Sequence, residues 1–156
     1  MREYVRRSEY HPDIKKLREL LSKVTDEQKL DILQRIKYVG STALHVAADR
    51  DDAEMITTIL SSLHSSYRLD PLMKKDFVKR TPLHVAARGG HTEPVRAILN
   101  SVTADQQMQL LTEDRLGETA IEMASGETAN VLSEYKNSAR ETADAGEFIP
   151  LNSHFV

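Results

Sequence analysis

The stretch Thr81-Pro82-Leu83-His84-Val85-Ala86-Ala87 decides the fold, because the same chain contains it again at a fixed spacing. Residues 42–48 read Thr-Ala-Leu-His-Val-Ala-Ala and begin 39 residues earlier. A weaker third copy, Thr-Ala-Ile-Glu-Met-Ala at residues 119–124, begins 38 residues later. Self-similarity at a fixed period of this length is typical of repeat architectures.

Apolar residues downstream of the repeated motif recur in step with it. Leu21, Leu60 and Leu99 stand 39 residues apart. In each copy the neighbouring apolar positions follow the spacing i, i+3, i+4, i+7, which predicts one apolar stripe on an α-helix. The stripe positions are Leu17, Leu20, Leu21 and Val24; Ile56, Ile59, Leu60 and Leu63; and Val95, Ile98, Leu99 and Val102. Because one such unit cannot bury its own stripe, we expect adjacent units to stack and share a core.

The segments that link these helices to the next motif also repeat. Leu33, Leu72 and Leu111 are 39 residues apart, and Val24–Gln28 resembles Val102–Gln106. In the middle copy the linker contains an Asp-Pro pair, and proline suits the first turn of a helix. The sequence therefore predicts a short extra helix or helical turn in each linker.

These patterns predict an all-α helical-repeat solenoid with about three repeats and an N-terminal half-repeat. We expect a single domain over residues 12–140, between an N-terminal extension (1–11) and a C-terminal tail (141–156). The tail has no apolar stripe, so we expect it to be flexible. The predicted units are 12–36 (partial), 37–75, 76–113 and 114–140, and the last unit closes with a helix over Ala129–Arg140.

The composition excludes several classes of site. The chain has 156 residues, of which 40% are hydrophobic and 29% charged, as in one ordinary globular domain. Its net charge of −3 does not indicate a nucleic-acid partner. The absence of cysteine excludes disulfides, thiolate nucleophiles and cysteine-based zinc sites. There is no signal-peptide pattern and no apolar run of about 20 residues, so we expect a cytoplasmic or otherwise intracellular protein without direct membrane insertion.

The middle copy, which continues as Arg88-Gly89-Gly90-His91, resembles the ankyrin-repeat signature. The first copy keeps Gly40 and most of the motif but has two aspartates in place of the Gly-His pair. The third keeps Gly117 but lacks the proline and the histidine. The units are 38–39 residues long, whereas the ankyrin period is about 33. This departure leaves open whether the hairpin at the tip of each unit is shortened or replaced by a helix.

Several residues that suggest chemistry have a structural interpretation. His45 and His84 occupy equivalent positions on adjacent units, where helix axes lie about 10 Å apart. That separation is too large for one metal site, since metal–nitrogen bonds are about 2 Å. The acidic run Asp49–Asp52 lacks the alternating ligands of a calcium loop and is better interpreted as a solvated turn. No catalytic motif occurs. We therefore expect no enzymatic activity, cofactor or metal.

The resemblance implies that another protein binds the concave surface formed by the inner helices and the tips that precede them. Tyrosine and arginine are common at binding hot spots, so residues of these types on that surface are the preferred candidates for contact with a partner. The candidate contact residues are Tyr38, Arg50, Phe77, Arg80, Arg88 and Arg115. Val39, Val78 and Leu116 recur beside the tips, and we assign them to packing.

The sequence thus predicts a monomeric protein-interaction module or adaptor. An alternative is a cytosolic regulatory or assembly fragment of a larger ankyrin-containing membrane or signalling protein. For each candidate contact residue the simpler interpretation is ordinary exposed surface.

Overall fold

A computed structural model describes residues 14–33 and 41–153, except the side chains of residues 114–115 and 144–153. The expected N-terminal extension lies outside these residues. The elements, in chain order, are α1 (Ile14–Ser22), α2 (Asp26–Leu33), α3 (Ala43–Asp49), α4 (Ala53–Ser62), a 3-10 turn (Ser65–Tyr67), α5 (Leu69–Leu72), α6 (Pro82–Gly89), α7 (Thr92–Asn100), α8 (Ala104–Thr112), β1 (Asp114–Arg115), β2 (Glu118–Thr119), α9 (Ala120–Met123) and α10 (Gly126–Ser153).

The helices stack in the order that the repeat predicts. The inner helices α3, α6 and α9, which carry the three copies of the motif, contact one another in succession. The outer helices α1, α4, α7 and α10 form a second row beside them. Each linker contains a short helix, namely α2, α5 or α8. The all-α repeat fold and the extra linker helices are therefore confirmed.

The apolar stripes fill the space between the rows. Leu21, Leu60 and Leu99 are 3%, 0% and 0% exposed. The linker leucines, Leu33, Leu72 and Leu111, are also buried. The prediction for Leu20 is wrong, since this side chain is 52% exposed whereas its equivalents in α4 and α7 are buried. The outer helices α4 and α7 pack on the inner helices α3 and α6. In the described part of the chain no inner helix precedes α1, so nothing covers this position.

Each inner helix begins with a reciprocal cap. In α6 the Thr81 hydroxyl accepts the His84 N–H at 3.4 Å, and the His84 ring Nδ1 accepts the Thr81 N–H at 3.2 Å. Pro82 occupies the first turn, where its missing N–H removes no helical hydrogen bond. In the third unit Glu122 replaces the histidine and accepts the Thr119 N–H at 2.9 Å. The degenerate copy therefore keeps the cap after losing the imidazole.

The last helix differs from the predicted closing helix over Ala129–Arg140. It begins at Gly126 and continues to Ser153, across the expected domain boundary at residue 140. The sequence around residues 141–147 has no apolar stripe, but it is rich in alanine and glutamate, which favour helix without burial. The flexibility of the tail stays a prediction.

Candidate functional site

The loop before α6, residues 74–80, is here called the second tip, and Asp76 organises it. The carboxylate of Asp76 accepts the N–H groups of Val78 at 3.0 Å and Arg80 at 2.9 Å. The Arg80 guanidinium also donates to it through Nε at 3.0 Å. The Asp76 N–H donates to the Arg80 carbonyl oxygen at 2.9 Å, which closes the loop. The second tip is therefore a turn closed by hydrogen bonds to and from Asp76.

The Asp76 side chain is fully buried, and its environment keeps it ionised. Burial alone would raise the pKa of Asp76. The backbone N–H and the guanidinium of Arg80 outweigh burial, so the pKa lies below its ordinary value. Arg80 is consequently a structural partner of this carboxylate as well as a candidate contact.

Residues 113–119 form the third tip, a short antiparallel hairpin in which Asp114 pairs with Thr119 and Arg115 with Glu118. Its turn residues Leu116 and Gly117 both have positive φ, 53° and 89°. At the third tip, the structure therefore has a short hairpin and not a helix.

The two histidines of the motif join the inner helices α3 and α6 to the tip of the next unit. His45 Nε2 lies 2.8 Å from the Arg80 carbonyl oxygen, and His84 Nε2 lies 3.3 Å from that of Glu118. Because Nδ1 of each ring accepts the N–H of its cap threonine, Nε2 is the protonated nitrogen that donates to the carbonyl. These contacts support the structural interpretation of both histidines.

Both imidazoles are buried, at 2% exposure for His45 and 0% for His84. Burial lowers the pKa of each ring below its ordinary value. The hydrogen bonds to the carbonyls of Arg80 and Glu118 oppose this effect without cancelling it. The neutral imidazole is therefore the form that the folded protein holds.

An open groove runs between α3 and α6 on the side of the inner helices. Its floor includes the side chain of His45, and Asp49 and Arg50 lie where α3 ends. Both signs of charge are present, with apolar surface from the helices between them. The residues that line the groove are Ser41, His45, Val46, Asp49, Arg50, Arg80 and Val85.

The predicted contact residues have different surroundings. Phe77 on the second tip is 72% exposed, and Arg88 is exposed at the end of α6. Arg50 and Arg80 are half-buried and line the groove together. Tyr38 lies outside the described residues, and for Arg115 only the backbone, in β1, is described.

The assignment of Val78 and Leu116 to packing is wrong. Val78 is 40% exposed and Leu116 is 77% exposed, while Val39 lies outside the described residues. Sequence reasoning missed this surface because a repeated apolar position usually faces a core. The Leu-Gly pair was a usable signal, since glycine favours tight turns, whose side chains face solvent.

One comparison with known families decides the identity of the repeat. The family model for the ankyrin repeat matches residues 79–108, which run from the end of the second tip through α6 and α7 to the first part of α8. The chain contains an ankyrin repeat. Ankyrin repeats are generally protein–protein interaction modules and typically not enzymes. No curated protein matches this ankyrin-repeat chain. Among its described residues, no helix is long and apolar enough to cross a membrane.

Proposed function

We propose that this ankyrin-repeat protein is a binding module or adaptor, and that another protein occupies its concave surface. One observation carries the proposal: large apolar side chains stand in solvent on adjacent tips, Phe77 on the second and Leu116 on the third. Such exposure adds nothing to the stability of a monomer, whereas a partner that covers both residues gains their burial.

The groove beside the tips supports the same role. Asp49 and Arg88 end equivalent inner helices, one repeat apart, and both are exposed. Opposite charges at repeated positions provide specificity for one orientation of a partner more than raw affinity. Groups of three or more histidine, aspartate or glutamate side chains suitable for a metal are not found in the described region. We propose binding, without catalysis, as the activity.

Quantitative affinity purification tests the proposal with two charge-swapped variants. In the concave variant Asp49→Arg is combined with Arg88→Asp, which keeps the net charge. The control places the same chemistry on the outer side, with Glu93→Arg in α7 combined with Arg140→Asp in α10; all four side chains are exposed or partly exposed. We expect the concave variant to lose proteins that the wild type and the control both retain.

The binding must then be direct, so the recovered protein is purified and titrated calorimetrically against all three chains. Equal affinity for the concave variant and the wild type would overturn the proposal. We also propose that the protein acts as a monomer. Light scattering during gel filtration should give a mass near 17.6 kDa, and twice that mass would contradict this part.

A further inference from the structure

We propose that the second and third tips together form a docking ridge for a short acidic protein segment with an apolar anchor. The inference rests on the proposed function and names the chemistry of the partner at one part of the binding surface. The ridge is defined by Lys74, Phe77, Val78, Lys79 and Leu116. Three independent features of these residues support it.

The first feature is that the apolar members lie on neighbouring tips. Lys75 Nζ is 2.6 Å from Glu113 Oε1, an ion pair that joins the bases of the two tips. The hydrogen bond from His84 to the Glu118 carbonyl fixes the third tip to the helix that follows the second. Phe77 and Leu116 are therefore held on adjacent, braced loops. The inference is that one extended segment crosses both tips and contacts both side chains.

The second feature is that two turn residues other than glycine have a backbone conformation that destabilises the folded state. Lys79 and Leu116 have φ values of 64° and 53°, in the left-handed region that glycine occupies without cost. The positions equivalent to Lys79 in the other two units are glycines, Gly40 and Gly117. A lysine in this conformation weakens the turn, and its side chain is exposed. Strained backbone that presents an exposed side chain is typical of contact sites.

The third feature is the sign of the charge. Lys74 and Lys79 are exposed, and neither has a carboxylate of the described residues within ion-pair distance. The one acidic residue of the second tip, Asp76, is matched by Arg80. Residues 74–80 therefore carry a net charge of +3 in a chain whose net charge is −3, whereas the third tip carries more acidic than basic residues. Aspartate or glutamate in the partner complements the second tip, and an aliphatic or aromatic residue covers Phe77 and Leu116.

Single-stranded nucleic acid is the other polyanion to consider. Its bases bind proteins mainly by stacking on aromatic side chains in a positively charged groove. The ridge has one described aromatic residue, and its other apolar members, Val78 and Leu116, offer no stacking face. The observations favour a peptide, and nucleic acid becomes an outcome of the test.

Selection from a random peptide display library tests the inference on the full chain. We expect the enriched peptides to combine aspartate or glutamate with leucine, phenylalanine or a similar residue. Fluorescence anisotropy of the best peptide then gives its affinity for three chains: wild type, Lys79→Gly and Leu116→Asn. Each variant replaces a ridge side chain with a residue that tolerates positive φ, so its melting temperature should stay equal or rise.

The expected result is that both variants bind the peptide about tenfold or more weakly, as hot-spot residues do. Lys15→Gln, which removes an exposed lysine from α1 in the first unit, is the matched charge control and should bind like the wild type. A loss of binding together with equal or greater stability cannot arise from misfolding.

Three results would overturn the inference. The first is enrichment of basic peptides, or no enrichment. The second is unchanged affinity in Lys79→Gly and Leu116→Asn. The third is binding of a labelled single-stranded oligonucleotide, at physiological salt, in place of acidic peptides. If the peptide binds but depends on Asp49 and Arg88 instead of the tips, the ridge is wrong and the concave binding function stands.

Discussion

Lys29 Nζ donates a hydrogen bond to the carbonyl oxygen of Ser62 at 2.5 Å, so the linker helix α2 covers the end of α4. One unit later, Arg68 is the residue equivalent to Lys29. It donates a hydrogen bond to the Ser101 carbonyl oxygen, at the end of α7, at 3.2 Å. The last carbonyls of a helix lack intrahelical partners and carry partial negative charge. The extra linker segments of these long units therefore bring a cation to the end of the next unit's outer helix.

Replacement of either cation by methionine tests this linkage, because methionine keeps the length of the side chain and removes the donor. A hydrogen bond from a charged group contributes about 1.5–3 kcal/mol, so Lys29→Met and Arg68→Met should each lower the free energy of unfolding by about this amount. Chemical denaturation gives the value. The control is Lys23→Met, whose side chain is 64% exposed and pairs with Glu19; an exposed pair of this kind contributes about 0.5 kcal/mol. Equal effects in all three variants would contradict the linkage.

The stack could be predicted from the sequence because the apolar stripe is a local signal that repeats. The linkage through Lys29 and Arg68 could not, although the two residues are 39 positions apart. From the sequence, a lysine on a short polar helix and an arginine in the turn before α5 both resemble solvated surface residues. Only the packing of α2 on α4 shows that Lys29 contacts the Ser62 carbonyl. The same limit applies to Leu116, whose exposure depends on the φ of its turn.

The central stripe positions should dominate the stability of the stack. Leu60 and Leu99 are fully buried, and truncation of a buried leucine costs about 2–5 kcal/mol through lost transfer energy and the cavity that remains. Leu60→Ala and Leu99→Ala should therefore clearly lower the melting temperature. Leu116→Ala, at a side chain 77% exposed, should change stability by about 0.5 kcal/mol or less. A loss below about 1 kcal/mol at Leu60 or Leu99 would count against the shared core.

The two candidate arginines near the groove should respond differently to substitution. From the sequence alone, Arg80 and Arg88 are equivalent candidates for contact with a partner. Arg80 instead pairs with Asp76, whose side chain is fully buried, so Arg80→Met should destabilise by about 1.5–3 kcal/mol. Arg88 is exposed, and Arg88→Met should stay within about 0.5 kcal/mol of the wild type. Comparable stability of the two variants would show that the pair contributes little.

The buried histidines should make the stability depend on pH in the mildly acidic range. His45 and His84 have pKa values lowered by burial, and in the unfolded chain a histidine titrates near about 6.5. Between this value and the lowered folded-state pKa, the unfolded state binds more protons than the folded state. The free energy of unfolding therefore falls as the pH decreases through this window. Asp76 acts at lower pH, because its lowered pKa affects stability only below about pH 5.

Denaturation curves at a series of pH values measure this dependence, whose slope is at most about 1.4 kcal/mol per pH unit for each histidine. His84→Gln should remove one of the two contributions and make the profile shallower below about pH 6.5. His64→Gln is the matched control, since the His64 side chain is exposed and its ring contacts Ser66 of its own turn. A wild-type profile that is flat between neutral pH and about pH 5 would mean that the rings are protonated without cost in the folded protein, and that their hydrogen bonds to the tips do not require the neutral form.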